Sequence, residues 1–267
     1  MELTRHHGLG NVFLISFLDD LPEDPAGLAQ KYCDPEKGIG ADGLIIGTPS
    51  SEKSNAVNRF HLFNKDGGRA ELSGNGLRCF AQALSMASKL EDITFYVETD
   101  VGLRMLKIEE LLNENEMLVT AEIGEASISE NFDSDQFEQE FKILRAAKVD
   151  VGNPHLVAEV RDIDGVDLEQ FAVRENEIAS PIGINVHLLE IDDPSNIRIR
   201  TWERGVGLTE ACGTGACASA FAASKWGQIE ARVNVHMSGG SGIVDMGQSI
   251  KLSGLTTFID RHQVGDG

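Results

Sequence analysis

The stretch Glu210-Ala211-Cys212-Gly213-Thr214-Gly215-Ala216-Cys217 places a thiol directly before a glycine turn. It continues into Ala218-Ser219-Ala220-Phe221-Ala222-Ala223, a run dominated by residues that favour helix. The N-terminus of a helix exposes backbone N–H groups and positive dipole charge, which attract anions and lower the pKa of a nearby thiol. The stretch therefore predicts a reactive cysteine at the start of a small-residue helix.

A second stretch, Glu71-Leu72-Ser73-Gly74-Asn75-Gly76, resembles the first and precedes a predicted helix from Leu77 to Lys89. When Ser73 is placed on Cys212, the surrounding residues also agree without a gap, and the matched pairs are Gly74 with Gly213, Gly76 with Gly215, Glu71 with Glu210, Phe63 with Trp202, and Arg59 with Arg198. A shift of three residues also places Gly10-Asn11 on Gly152-Asn153. This agreement predicts a duplicated fold, and repeated halves often hold a ligand between them.

The acidic segment from Ser127 to Phe141 has no glycine or proline and is predicted to be a surface loop or an exposed linker. We therefore place a domain boundary near residue 120. Most of the remaining chain consists of short apolar or alternating runs, some of which follow glycine turns, and this pattern predicts strands.

The chain has 267 residues and a net charge of -20, which argues against nucleic acid or an anionic membrane as partner. We find neither a signal peptide nor an apolar run of the roughly 18 residues needed to cross a bilayer. The four cysteines have neither zinc-ligand spacing nor the density of a disulfide scaffold, so reduced thiols in a cytoplasm are expected.

Two helix N-termini that face one cleft would hold an anion such as a carboxylate, with phosphate as the alternative. The sequence lacks the Walker pattern whose lysine would reach phosphates. A thiolate that faces a second acid–base group across an amino-acid Cα suits stereoinversion. Because no pyridoxal phosphate or metal signature is visible, the helix ends would have to stabilise the carbanion. Cys79 and Cys217 lie further along their helices and are predicted to be core thiols.

Several polar residues could serve either structure or chemistry. His155 follows Asn153-Pro154 at a turn, and Glu203-Arg204 leaves a predicted strand close to the cysteine motif. Three asparagines are turn formers or hydrogen-bond partners for a zwitterion, and the residues alone do not decide between these roles: Asn64, Asn75 and Asn185.

Taken together, these pieces resemble the diaminopimelate epimerase family, in family order and over nearly the whole chain. The matching pieces are His7-Gly8-Leu9-Gly10-Asn11, Gly38-Ile39-Gly40-Ala41-Asp42-Gly43, Phe63-Asn64-Lys65-Asp66-Gly67, Glu71 to Cys79, Gly152-Asn153-Pro154-His155, Ile184-Asn185-Val186, and Trp202 to Gly215. Each piece is weak by itself, but the set is highly specific.

The resemblance implies an α+β fold of two pseudo-symmetric lobes, each a mostly antiparallel β-sheet or barrel wrapped around a central helix. It predicts an N-terminal lobe of residues 1–119 plus 255–267, a C-terminal lobe of residues 120–254, and an active site in the cleft between them. It also implies cofactor-independent, two-base interconversion of LL- and meso-diaminopimelate in lysine and cell-wall biosynthesis. The partner is a small amino-acid substrate, no metal is expected, and a homodimer is allowed.

By the same resemblance, Cys212 and the residue at position 73 are the acid–base pair, assisted by His155 and Glu203. The turns Gly74-Asn75 and Gly213-Thr214 hold the α-carboxylate. The other substrate-binding positions are Asn11, Asn64, Asn153, Asn185, Glu203 and Arg204.

Two positions depart from the family pattern. Val12 stands where the family usually has aspartate, which is expected to loosen the first turn, and Ser73 stands where it has its other catalytic cysteine. Ser73 is an engineered replacement, or a native residue that relays a proton through neighbouring polar groups, or a sign of diverged activity. The alternative functions are a proline or hydroxyproline racemase-epimerase and a catalytically silent binding protein.

Overall fold

The computed structural model describes residues 1–51, 54–88, 93–137, 139–178 and 183–265. The chain divides into two compact units. Unit 1 comprises Met1–Glu122 and the C-terminal segment from Ser253, and unit 2 comprises Ile123–Leu252. No helix in these ranges combines the length and the apolar character that membrane crossing requires.

Unit 1 is a closed barrel of eight strands, to which a short ninth strand is attached by pairing with one of them. Its strands are β1 (Glu2–Gly8), β2 (Asn11–Phe17), β3 (Gly43–Thr48), β4 (Asn58–Asn64), a short β5 (Arg69–Ala70), β6 (Thr94–Thr99), β7 (Gly102–Leu111), β8 (Glu116–Gly124) and the C-terminal β17 (Ile250–Gln263). The pairs β2–β3 and β4–β6 are parallel, whereas β1–β2, β3–β4, β6–β7 and β7–β8 are antiparallel. Strand β17 pairs with both β8 and β1 and thereby closes the ring.

A helix inside this barrel supplies much of the unit 1 core. Helix α2 (Gly74–Ser88) packs against β1, β2, β4 and β7, and its buried residues include Leu77, Phe80 and Leu84. A shorter helix, α1 (Pro25–Cys33), contacts β3 and β4 and is capped by Asp24, whose side chain accepts a hydrogen bond from the Gly27 N–H.

Unit 2 has the same plan. Its strands are β9 (Ser127–Asp133), β10 (Arg145–Asp150), β11 (Pro154–Glu159), β12 (Asn185–Asp193), β13 (Asn196–Glu203), β14 (Gly207–Thr209), β15 (Arg232–Met237) and β16 (Gly240–Met246). The pairs β11–β12 and β13–β15 are parallel, and β9–β10, β10–β11, β12–β13 and β15–β16 are antiparallel.

The central helix of unit 2 is α4 (Gly213–Lys225), which contacts six of these strands. Its buried residues are nearly all glycine, alanine, serine or cysteine, so the surrounding strands approach its backbone closely. A second helix, α3 (Leu168–Ile178), contacts β12 and β13 through a short apolar face.

The two units repeat one topology, because the order of parallel and antiparallel pairs from β1 to β7 recurs from β10 to β16. Helix α2 begins directly after Ser73 and α4 directly after Cys212, as the matched motifs predicted. The predicted α+β fold, with strands around a central helix in each half, is confirmed.

Two local predictions need correction. The segment from Ser127 to Phe141 is not a loop throughout, because its first half forms β9, which pairs with β10, and Phe132 and Phe137 pack against the unit 2 core. The helix predicted from Leu77 begins three residues earlier, and its predicted end at Lys89 lies outside the described residues.

Candidate active site

Cys212 is the residue that caps helix α4. Its backbone is extended, with φ −135° and ψ 111°, and its Sγ accepts a hydrogen bond from the Gly215 N–H at 3.3 Å. The Thr214 hydroxyl lies 3.5 Å from the same sulfur. The first N–H groups of α4, from Gly213 onward, have no acceptor within the helix, so this turn can bind an anion next to the thiol.

The prediction that the helix end lowers the thiol pKa is wrong for Cys212. Burial raises the pKa of the Cys212 thiol above its ordinary value, and the nearby Glu203 carboxylate raises it further. The Gly215 N–H and the Thr214 hydroxyl act in the opposite direction but are outweighed. Cys212 is only 4% exposed, so the dipole of the helix end does not compensate for the loss of hydration. The Cys212 thiol is therefore protonated in this structure.

Glu203 and Arg204 lie where β13 turns back into β14. The turn is tight, with Gly205 and Gly207 at positive φ (78° and 98°), and the Val206 N–H donates to the Glu203 carbonyl at 3.0 Å. The Glu203 side chain makes a hydrogen bond with Cys212. The carboxylate of Glu203 thus lies beside the thiol of Cys212 at the start of α4.

Asn185 joins this turn to the parallel strands β11 and β12. Its Oδ1 accepts from the Arg204 N–H at 3.0 Å, and its Nδ2 donates to the Pro154 carbonyl at 3.0 Å. Asn185 is buried, whereas the Arg204 side chain is exposed. The asparagine therefore fixes the position of the Arg204 backbone and leaves the guanidinium at the surface of unit 2.

His155 is fully buried at the start of β11. Its Nε2 lies 2.9 Å from Asn153 Oδ1, and its Nδ1 lies 2.7 Å from Nε2 of His187 on β12. Burial holds the pKa of His155 well below its usual range and lowers the pKa of His187 to about 3. Both rings are therefore neutral at ordinary pH. His187 was not among the predicted site residues.

We refer to Cys212, Gly213, Thr214, Glu203, Arg204, Asn185, Asn153 and His155 as the α4 site. All of these predicted residues lie in unit 2, on the start of α4 or on the neighbouring strand ends.

Ser73 holds the equivalent place before α2. Its Oγ accepts from the Gly76 N–H at 3.0 Å, as a cap does. Asn75, in the first turn, donates from Nδ2 to Asn11 Oδ1 at 2.7 Å, and its Oδ1 accepts from Nη2 of the fully buried Arg78 at 2.6 Å. We refer to Ser73, Gly74, Asn75 and Asn11 as the α2 site.

Asn64 lies at the exposed end of β4, where its N–H donates to the Gly68 carbonyl at 2.8 Å. In the repeat it occupies the position of Glu203. Val12 lacks the aspartate side chain that is expected to tighten the turn at Gly10-Asn11. Its backbone N–H donates a hydrogen bond to Asp42 Oδ2 at 2.8 Å.

The remaining cysteines lie in the core, as predicted for Cys79 and Cys217. Burial raises the pKa of both Cys79 and Cys33 to about 12, so these thiols stay protonated.

The family model for diaminopimelate epimerase matches residues 3–129 and 147–251, which include both helix-capping motifs. The chain belongs to the diaminopimelate epimerase family. Curated relatives of this name agree over most of their length. One from Desulforudis audaxviator is 36% identical over 258 residues, covering 90% of this chain and 89% of the relative. Another, from Desulfitobacterium hafniense, is 34% identical over 284 residues and covers 97% and 96%.

Solved structures share the fold at lower sequence identity. A hydroxyproline epimerase from Agrobacterium vitis, with bound trans-4-hydroxy-L-proline, has a TM-score of 0.74 at 17% identity and covers 99% of this chain and 92% of that one. At this level of identity the likeness shows the fold alone.

Proposed function

We propose that this enzyme interconverts LL- and meso-diaminopimelate by removing the Cα proton on one face and returning a proton on the opposite face. The observation that carries the proposal is Cys212, which caps α4 beside Glu203 in a chain of the diaminopimelate epimerase family. The names of the relatives, which are 32–36% identical, support diaminopimelate as the substrate. The reaction would serve lysine and cell-wall biosynthesis in the cytoplasm.

Helix ends supply the electrostatic part of the proposed mechanism. The first N–H groups of α4, at Gly213-Thr214, bind the α-carboxylate, and those of α2, at Gly74-Asn75, do the same. When the Cα proton leaves, negative charge spreads into this carboxylate, where the N–H groups and the helix dipoles stabilise it. No cofactor is needed for this stabilisation.

Polar side chains orient the rest of the substrate. The amides of Asn11, Asn64, Asn153 and Asn185 provide neutral donors and acceptors for the amino and carboxyl groups. The exposed guanidinium of Arg204 suits a distal carboxylate, which it can bind through two parallel hydrogen bonds.

Cys212 supplies one of the two proton transfers. Its S–H bond breaks as the new C–H bond forms at Cα, and in the reverse direction the thiolate takes that proton. Burial and, to a smaller extent, the Glu203 carboxylate raise the pKa of the thiol, so the proton stays on sulfur until a carbanion is present to receive it. His155 assists as a neutral ring.

Ser73 stands at the second transfer. A hydroxyl is a poor base unless a neighbour takes its proton, so the proposal predicts that this step limits the rate. A native relay residue, an engineered replacement and a diverged activity remain the three interpretations of this serine.

Deuterium incorporation at Cα tests the proposal. LL- and meso-diaminopimelate are incubated separately with the enzyme in D₂O, with trans-4-hydroxy-L-proline as the comparison substrate. We expect deuterium in diaminopimelate and slow net inversion. Exchange from one isomer without inversion would show that only the thiol transfer operates. Absence of exchange from both isomers, also with Ser73→Cys, would refute the epimerase proposal. Preferential exchange of hydroxyproline would show that hydroxyproline, and not diaminopimelate, is the substrate.

A further inference from the structure

Two fully buried histidines touch each other: His155, which belongs to the α4 site, and His187. His155 Nδ1 and His187 Nε2 lie 2.7 Å apart, and the ring planes are inclined by 32° with centroids 5.0 Å apart. His187 lies opposite Val157 in the parallel pairing of β11 and β12, on the side of the sheet that carries His155. Because one hydrogen bond joins two neutral rings, one nitrogen of this contact carries a proton and the other does not.

The partner of His155 on its other side decides which nitrogen carries the proton. Asn153 Oδ1, 2.9 Å from His155 Nε2, can only accept, so His155 is protonated at Nε2. A neutral His155 then has a bare Nδ1, and His187 must donate to it from its own Nε2–H. The remaining nitrogen, His187 Nδ1, is buried and makes no hydrogen bond in the described part of the chain, as expected for the bare nitrogen of the second ring.

A contact with helix α4 also fixes the position of the His187 ring. Its ring lies beneath the first turn of α4, so closely that a Cβ on Gly215 would lie 2.4 Å from its Cε1. Gly215 is also the residue whose N–H donates to Cys212 Sγ. The imidazole of His187 therefore connects the turn that holds the thiol with the ring of His155.

We propose that His187 is a positioning residue that holds His155 in the tautomer protonated at Nε2. In this state His155 presents one N–H edge, at Asn153, and does not turn or exchange its proton between nitrogens. The inference rests on the proposed function, in which His155 assists proton transfer. It does not apply to unit 1, where the repeat places Phe13 and Ile45 at the positions of His155 and His187.

A matched pair of variants separates the hydrogen bond from packing. Gln and Met have side chains of nearly equal length, but only Gln keeps an N–H donor near the position of His187 Nε2. We expect His187→Met to lower kcat roughly tenfold or more, because a catalytic histidine that loses its orienting partner adopts the wrong tautomer. The KM should change by less than about threefold, and His187→Gln should stay close to wild type.

Nitrogen NMR of the full chain, labelled with ¹⁵N-histidine, measures the tautomer directly. The His155 signals are assigned with His155→Gln. We expect protonation at Nε2 alone in wild type and in His187→Gln, and a mixture of tautomers in His187→Met.

A wild-type His155 that carries its proton on Nδ1 would overturn the inference without any variant, even if His187→Met did not fold. Equal kcat values and equal tautomers in the two variants would overturn it as well. The NMR experiment uses ligand-free protein, so its outcome is independent of whether diaminopimelate is the substrate, which the deuterium experiment decides.

Discussion

The N-termini of α2 and α4 occupy equivalent places in the repeat but differ in their chemistry. Ser73 and Cys212 both accept a hydrogen bond from the third residue after them, at 3.0 and 3.3 Å. Beneath the first turn, Ile45 lies near Gly76 and His187 near Gly215. The repeat thus keeps the backbone that can bind an anion and changes the side chains that can move a proton.

The two helix caps also differ in the charge of a neighbouring side chain. Strand β13 ends in Glu203, which interacts with the Cys212 thiol, whereas its counterpart in unit 1, β4, ends in the neutral Asn64. Cys212 is buried and Ser73 is partly exposed. Of the two helix starts, that of α4 therefore carries the stronger acid–base groups, and the following predictions test this asymmetry.

The largest effect is expected when the capping residue of α4 is made the same as that of α2. Cys212→Ser places a hydroxyl at both caps and should lower the rate of interconversion by about 10³-fold, because a positioned acid–base group contributes about 10²- to 10⁴-fold. Chiral chromatography of the diaminopimelate isomers measures the rate, and the thermal midpoint of the variant controls for folding. A rate within tenfold of wild type would remove Cys212 from the catalytic pair.

The opposite exchange tests the cap of α2. Ser73→Cys gives both caps a thiol, and we expect the rate to rise by about 10- to 100-fold, since a thiol is a better acid and base than a hydroxyl. Ser73→Ala is the matched control, because it removes the hydroxyl without adding a thiol. If Ser73→Cys leaves the rate unchanged, the transfer at this cap does not limit turnover.

A methyl group should distinguish the two first turns in stability. Gly215→Ala places a Cβ 2.4 Å from the His187 ring, whereas Gly76→Ala places one 3.1 Å from Ser73 Cβ and 3.3 Å from Ile45 Cδ1. Overpacking typically costs about 1–3 kcal/mol, while alanine gains about 1 kcal/mol of helix propensity. We expect Gly215→Ala to lower the free energy of unfolding clearly more than Gly76→Ala, as measured by urea denaturation. Equal losses would mean that His187 moves aside freely.

The last prediction concerns the pH dependence of stability. Burial lowers the pKa of His187 to about 3 and, in unit 1, the pKa of His6 to about 4, both from an ordinary value of 6.5. Below pH 6.5 the unfolded chain binds protons that the folded chain does not, so stability falls as the pH falls, by up to about 1.4 kcal/mol per pH unit for each such group.

Replacing either histidine should flatten this slope. We expect His187→Gln and His6→Gln each to reduce the loss of stability between pH 6.5 and 4.5, measured by urea unfolding at several pH values. Unchanged slopes in both variants would show that these rings are protonated in the folded state.

The sequence predicted the elements whose signal is local. Glycine turns before apolar runs located both central helices and most strands, and the matched caps predicted the repeat. Strand β9 was missed because its sequence is polar, and its pairing with β10 is a tertiary contact. Helix α3 has only three buried residues among charged ones, Leu168, Phe171 and Ala172, so it has little apolar periodicity to detect.

At the candidate site, sequence could indicate residue types but not their surroundings. The direction of the Cys212 pKa shift was predicted wrongly, because burial and the proximity of Glu203 depend on the folded structure. His187 gave no signal, since a single histidine in an apolar strand is indistinguishable from a core residue until β11 is placed beside it.

The buried Arg78 has a consequence for the order of assembly during synthesis. Its Nη1 donates to the Leu255 carbonyl, on the last strand of the chain, and a Cβ at Gly254 would lie 2.5 Å from the same nitrogen. Arg78 also holds Asn75, so the first turn of α2 is completed only by residues that leave the ribosome after all of unit 2. Unit 2 is continuous in sequence and can fold as it emerges, whereas the barrel of unit 1 waits for β17. The half of the molecule that is translated first is therefore the half that is finished last.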